Sequence, residues 1–285
     1  MEVEISPELA EICGIHAGDG YLRGPNKRAE LDISGGLEEK EYYDIHVVPL
    51  FAKTFGIELK AREFPSRRTY GFVIRDKAVI AKMHSLGFPY GKKTLTVKVP
   101  EQVLRSKNLD VIYGFLRGLF DTDGTLSFRK RGGSGYNEVL KKRHTYPLIR
   151  LRVCSKNLRD GVGQLLMRTG FQFTFSHHKS NGQNNESFGL ALDGDMNAFL
   201  WMYNLGFKNP LKANRFLIWK KHGFNPPWLT FKQEKEILDG KTNPHDYYTE
   251  KLSDEAGVLP RLVKRRLDLI QSLETLTFQN QAGLQ

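Results

Sequence analysis

Two nonamers decide how this chain is read: "ICGIHAGDG" from Ile12 to Gly20 and "LRGLFDTDG" from Leu116 to Gly124. Both carry an apolar residue, a glycine two positions on and a closing Asp-Gly, and they stand 104 residues apart. Ser6 followed by Pro7, and Asn108 ahead of "LDVIYGFLRGLFD", are helix-start signals, so each nonamer reads as the end of a helix. Gly20 and Gly124 then read as the C′ residues that stop those helices.

The chain downstream of each nonamer repeats as well. Ala29, Leu31 and Ile33 alternate with polar neighbours, and so do Ile149, Leu151 and Val153, which gives each stretch one apolar and one polar strand face. A helical segment then runs to Gly56 in the first half and to Gly170 in the second. Paired strands come next: "IELKAREF" with "TYGFVIRD", and "FQFTFSHH" with "SFGLALDG". A last helix closes the halves on "SLGF" and "NLGF". Matching glycines lie 104 (Gly20, Gly124), 114 (Gly56, Gly170), 118 (Gly71, Gly189) and 119 (Gly87, Gly206) residues apart, a drift that fits loop insertions, the largest within Lys130 to Thr145. The expectation is an α+β protein of two pseudo-symmetric α-β-β-α-β-β-α repeats, 1–105 and 106–210, with a C-terminal helical extension over 211–285.

Each motif helix also holds small residues four apart, Gly14 with Gly18 and Gly114 with Gly118. Such a stripe lets two backbones approach closely, and in a pseudo-symmetric pair the simplest partner for each helix is the other. That packing would bring Asp19 and Asp123 together at two helix C-termini, where the macrodipole and mutual repulsion both oppose them. Asp-Gly is also a common turn dipeptide, but a hard divalent cation would offset the repulsion of the pair: Mg²⁺, or another such as Mn²⁺ or Ca²⁺.

The 285 residues include 43 Lys and Arg against 32 Asp and Glu, a formal charge of +11, and basic loops such as "FRKRGGSGYNEVLKKRH" point to a polyanion. With 40% hydrophobic residues the composition is globular. Cys13 and Cys154, the two cysteines, are too few for a disulfide scaffold and have no zinc-ligand spacing. The acidic N-terminus is no signal peptide, and no apolar run reaches a membrane span, so a soluble intracellular protein is expected. Two carboxylates, a hard cation and a basic surround suit phosphodiester hydrolysis. Polar strand positions would face double-stranded DNA: Lys60, Arg62, Arg150 and Arg152, with Arg23, Lys27, Arg28, Arg67, Arg68, Arg129, His177 and Lys179 around them. For any one of these, solvated surface is an equally good reading.

The nonamers, in their two-copy spacing and helix-then-basic-strand context, resemble the LAGLIDADG motifs of homing endonucleases in the single-chain form. The resemblance covers Ser6 to Phe207. It implies a saddle of two antiparallel sheets over a long, specific DNA target, a monomer with the motif helices as its internal interface, and metal ions on Asp19 and Asp123. It further implies a basic residue at each strand-to-helix junction that helps hydrolysis: Lys156 fills that place in the second half, whereas "ISGGLEEK" puts Gly35 and Gly36 there in the first. Lys40 lies about one helical turn too far along to replace it. No splicing residues bracket the chain, so a free-standing, intron-encoded enzyme is expected rather than an intein. A nicking or non-cleaving DNA-binding regulator, or an RNA maturase bound to structured RNA, would use the same scaffold.

Beyond Phe207 the repeat ends. "TFKQEKEILDG" reads as a short helix with a Thr230/Gln233 capping box. The stretch "YYTEKLSDEAGVLPRLVKRRLDLIQSLE" reads as helix, Gly257 turn and a second helix with Leu259, Val263, Leu267 and Ile270 inward and Arg261, Lys264 and Arg265 outward. A helix-turn-helix and a plain amphipathic helix packed on the body fit it equally.

Overall fold

The computed structural model describes residues 5–25, 28–131, 142–180, 182, 185–248 and 258–282, the side chains of 258–263, 278 and 280–282 excepted. Ser6 caps α1 (Pro7–Asp19), its hydroxyl accepting from Leu9 N at 3.2 Å. The chain passes straight from α1 into β1 (Gly20–Arg23), then β2 (Glu30–Gly36). Helical segment α2 (37–55) comes next, with a π turn at Tyr43–Val47 just ahead of Pro49. Proline cannot donate to the carbonyl four residues back, and the wider turn accommodates that. After β3 (Arg62–Phe64), β4 (Thr69–Ile74), α3 (Lys77–Ser85) and the short α4 (Glu101–Arg105) comes the second motif helix, α5 (Leu109–Thr122), capped by Asn108.

The second repeat supplies β5 (Gly124–Lys130), β6 (His144–Val153), α6 (Lys156–Arg168), β7 (Thr174–His178), β8 (Ser187–Asp193) and α7 (Asp195–Asn204). The two four-stranded sheets have the same order, β1-β2-β4-β3 and β5-β6-β8-β7. In the first, β2 pairs antiparallel with β1 (Gly20 opposite Ile33) and with β4 (Ile33 opposite Phe72), so Leu31 and Ile33 point into the core and are fully buried. The extension adds α8 (Pro210–His222), α9 (Phe231–Leu238) and the long α10 (Val258–Ala282).

By compactness the chain forms two units: 1–125 with 150–191 and 207–210, and 126–149 with 192–206 and 211–285. The first is organised around α1 packed on α5, with Ile12, Ile15, Ile112, Phe115 and Leu119 fully buried. The second gathers its aromatic core around Trp219, whose indole N–H donates to Thr145 O at 2.8 Å while Phe199 and Phe216 pack on its ring. There α10 is held by Arg266, 3% exposed, which donates to Asp195 at 2.9 and 3.0 Å and to Thr145 O at 3.1 Å. Thr230 and Gln233 form the capping box of α9, and Ile270 of α10 is buried while Lys264 and Arg265 are exposed. The helix and turn expected over 249–257, with Gly257, and the side chains of Leu259, Arg261 and Val263 lie outside the described residues.

Three local expectations change. Gly20 is extended (φ −85°) rather than left-handed, because it opens β1 directly; what forbids a side chain there is His16, whose Nδ1 would meet an added methyl at 2.0 Å. "IELKAREF" keeps its alternation of burial, but only Arg62–Phe64 joins the ladder. In "FQFTFSHH" the strand starts at Thr174, and Phe175 is 50% exposed at the sheet edge, with its ring beside Gly163 of α6.

Candidate active site

The site begins where two backbones touch. A methyl on Gly14 would lie 2.2 Å from Phe115 O, and one on Gly118 would lie 2.2 Å from Glu11 O, so the two helices present equivalent glycines to each other's main chain. Gly114 meets Pro7 O in the same way at 2.5 Å. A methyl on Gly18 would instead meet Thr122 Oγ1 at 2.2 Å and the carboxyl carbon of Asp123 at 3.3 Å. The packing therefore carries the Asp123 carboxyl beside the residue that precedes Asp19. Asp19 is half-buried and Asp123 exposed.

Around Asp19 the first repeat builds a fixed surround. Tyr43, fully buried, donates its hydroxyl to Asp19 Oδ2 at 2.8 Å, and burial together with that carboxylate keeps the phenol protonated far above its ordinary range. Glu39 accepts from Gly36 N at 3.0 Å and from Asn209 Nδ2 at 2.8 Å, while Lys208 N donates to the buried Asp121 at 2.9 Å. A methyl on Gly35 would lie 2.5 Å from Glu39 Oε2 and 2.9 Å from Asp19 Oδ2. The junction that lacks a lysine is thus a gap into which two carboxylates lean. Lys40 is engaged elsewhere, with Asp44 at 2.6 Å and the Tyr70 hydroxyl at 2.8 Å.

A lysine that the motif pattern does not single out enters here. Lys93, in the loop between α3 and α4, donates to Gly18 O at 2.8 Å, at the carbonyl-rich end of α1. It is placed by Gly91, whose N–H donates to Leu22 O at 2.7 Å and bridges the loop to β1. Burial holds its ammonium below the usual lysine range, against the pull of Asp123 and Asp19, both within electrostatic reach. The available signal was "GKK" just before the second repeat, and nothing in its local pattern told it from an ordinary basic loop. The offset of 119 that relates Gly87 to Gly206 also relates Lys93 to Lys212, which is buried at the start of α8. Lys156 opens α6 after the Ser155 cap and pairs with Asp160 at 2.9 Å, 62% exposed.

The remaining basic positions are mostly partnered. Arg67 donates to Asp32 at 2.5 Å and lies over the Phe64 ring, and Arg23 pairs with Glu30 at 3.1 Å across β1 and β2. Arg62 also covers Phe64, and Arg68 has a left-handed backbone (φ 54°) in the β3–β4 turn. Arg129 pairs with Asp193 and lies over Tyr146; Arg152 donates to Ser187 at 2.8 Å; His177 contacts Glu186 at 2.5 Å. Arg28, Lys60, Arg150 and Lys179 are exposed, and Lys27 lies outside the described residues.

No group of three or more His, Cys, Asp or Glu able to hold a metal is found among the described residues. Two carboxylates with backbone oxygens fit a Mg²⁺-like ion, which retains waters and takes ligands from substrate phosphates; they do not fit zinc.

Residues 110–195 match the family described as LAGLIDADG-like domain. That stretch of the chain is similar to a LAGLIDADG-like domain. The match falls on the second repeat; the first repeat has the same strand order, and its opening helix packs glycine-to-backbone on that of the second. Among curated proteins, the chain is 23% identical over 235 residues to a replication factor C small subunit of Methanocaldococcus jannaschii, covering 82% of this chain and 11% of that protein. It is 31% identical over 130 residues to a DNA polymerase of Thermococcus litoralis, covering 45% of this chain and 7% of that protein. The chain thus spans about a tenth or less of the length of these relatives. Solved structures with similarity include variants of the homing endonuclease I-DmoI (TM-score 0.47, 16% identity, 70% of this chain and 95% of that one). The homing endonuclease I-WcaI bound to its DNA recognition sequence gives 0.47, 15%, 75% and 88%, and the N-terminal LAGLIDADG domain of WhiA gives 0.43, 12%, 72% and 84%. No helix among the described residues is long and apolar enough to cross a membrane.

Proposed function

We propose that this protein is a Mg²⁺-dependent, site-specific endonuclease of double-stranded DNA that works as a monomer, with both half-sites in one chain. The observation that carries the reading is the convergence at the α1–α5 contact: the Asp123 carboxyl beside Gly18, Asp19 next in the chain, and Lys93 within electrostatic reach of both acids. In this reading Asp19 and Asp123 hold the metal, whose bound form would activate water and neutralise the scissile phosphate. Tyr43, a protonated phenol, holds Asp19 in one orientation through its hydrogen bond to Oδ2. Lys93, partly desolvated, stabilises negative charge developing on phosphate oxygens, the role assigned from sequence to a junction lysine. Lys156 serves as a surface cation, since an exposed pair such as the one with Asp160 is easily exchanged for phosphate. The basic side chains of the two sheets supply backbone contacts, and several trade a carboxylate for a phosphate on binding.

A nicking or non-cleaving regulator is the competing reading, favoured by the missing lysine at Gly36. One experiment separates them. Supercoiled plasmid carrying the uninterrupted sequence that flanks the gene is incubated with the protein in Mg²⁺ or EDTA. Linear product with Mg²⁺ only is expected, and the Asp123→Asn protein should bind the same DNA and leave it uncut. Nicked product would mean a one-strand enzyme, uncut but bound plasmid a regulator, and equal cutting by Asp123→Asn would remove the assigned site.

A further inference from the structure

Of the three tryptophans, Trp201 and Trp219 are fully buried, whereas Trp228 is 95% exposed. Its backbone is also left-handed, φ 64°, a conformation that a bulky side chain adopts only when its surroundings impose it. The surroundings do so from both sides. Before it, the buried Asn225 donates its N–H to His144 O at 3.0 Å and its side-chain amide to Arg215 O at 2.9 Å, and Pro226 and Pro227 stiffen the approach. After it, Leu229 is locked into a cluster with Ile218 and Ile237, and Thr230 caps α9. The loop is rigid, and it spends that rigidity on holding a large aromatic ring in water.

The chain flanking this loop is rich in lysine. Lys220, Lys221, Lys232, Lys235 and Lys241 stand between positions 220 and 241; Lys220 pairs with Glu274 at 2.6 Å, Lys241 with Asp239 at 2.9 Å and Lys232 with Glu236 at 3.8 Å, and Glu234 is fully buried on Arg215. Lys221, Lys232 and Lys235 are exposed. An exposed aromatic ring on a held backbone, with lysines in the flanking helices, is a combination that engages nucleic acid: the cations meet phosphates, and the ring packs on a sugar or on a base face opened at the groove. We propose that Trp228 is a DNA contact, presented by the helical extension outside the two repeats, and that it adds affinity with little base preference. The proposal rests on the duplex-binding reading above.

The test uses the full-length protein and a labelled duplex containing its flanking sequence, with binding followed by anisotropy. Because the other two indoles are buried, acrylamide quenching reports on Trp228. Bound duplex is expected to remove most of the quenchable emission. The Trp228→Gly protein, whose glycine accepts the left-handed backbone, should melt no lower than the parent and bind about tenfold more weakly. Unchanged quenching with duplex bound, or parental affinity for Trp228→Gly, would overturn the proposal. Shielding that grows with protein concentration before DNA is added would also overturn it, by assigning the ring to a second copy of the chain. Failure to bind duplex at all would remove the endonuclease reading along with it.

Discussion

At the scale of single residues, Lys93 is the cation that the proposed mechanism puts in place of the lysine missing from the strand-to-helix junction of the first repeat. A side chain at position 35 would have to push aside the Glu39 and Asp19 carboxylates, whose oxygens lean over Gly35. The cation instead arrives from the loop between α3 and α4, tied to β1 through Gly91 and to α1 through the Gly18 carbonyl. Replacing Lys93 by Met keeps the stem's length and removes the charge. Single-turnover cleavage at saturating Mg²⁺ should then fall by about a hundredfold, the scale of losing one electrostatic stabiliser. Duplex Kd should hold within about twofold if, as proposed, the strands carry the DNA contacts. Cleavage at the parental rate would return the role to Lys156. The motif acids were readable as a pair because a repeat places them at matching positions; Lys93 was not, because its partner is a carbonyl 75 residues away.

At the scale of elements, the contact between α1 and α5 is close and also charged. Glu11 of α1, 3% exposed, accepts from Nε and Nη2 of Arg117 of α5, one edge of the guanidinium, and contacts His46 of α2 at 2.6 Å. Burial alone would raise the Glu11 carboxyl, but the bonds to His46 and Arg117 outweigh it and hold it at about 2. A carboxyl held below its ordinary value stabilises the fold fully above about pH 4.5, and this contribution is lost as pH falls from there toward 2. Its size is roughly 3 kcal/mol. Urea melts of the parent and of Glu11→Gln should therefore differ most near neutrality and converge below pH 4.5; a constant gap would refute the linkage. The glycines make the second demand. Alanine usually stabilises a helix relative to glycine by about 1 kcal/mol. Gly118→Ala should nevertheless lower stability by roughly 1–3 kcal/mol, because its methyl meets the Glu11 carbonyl and the helices must part. A melting temperature at or above the parent's would mean that the helices separate freely. The spacing of Gly14 and Gly118 made this contact legible in advance. The Glu11–Arg117 pair was not, because neither residue has a like-charged or complementary equivalent in the other motif: Cys13 stands where Arg117 would, and Phe115 where Glu11 would.

At the scale of the whole molecule, the formal charge of +11 overstates what is immediately available to a polyanion. Arg67, Arg23, Arg129 and His177 each face a carboxylate from another part of their own sheet: Asp32, Glu30, Asp193 and Glu186. Strand alternation revealed which residues share the polar faces, but alternation is blind to cross-strand partners. These depend on register, which only the folded ladder sets. The pairs of Arg129 and His177 are open to solvent, so a phosphate displaces their carboxylates at little cost, whereas Asp32 and Glu30 are largely buried and give up Arg67 and Arg23 less readily. The released carboxylate takes up a cation from solution, however, and that uptake cancels part of the counterion release that makes DNA binding salt-dependent. If about six phosphates are neutralised by unpaired cations such as those on exposed surface positions, affinity should fall roughly a thousandfold between 50 and 200 mM salt. Converting Asp32 to Asn frees Arg67 before DNA arrives, so the variant should bind duplex more tightly at low salt and show a steeper slope by up to about one unit. Anisotropy titrations over a salt series read both quantities. A slope unchanged in Asp32→Asn would mean that Arg67 stays on its own sheet when DNA is bound, and a flat response in the parent would remove the polyanion reading altogether.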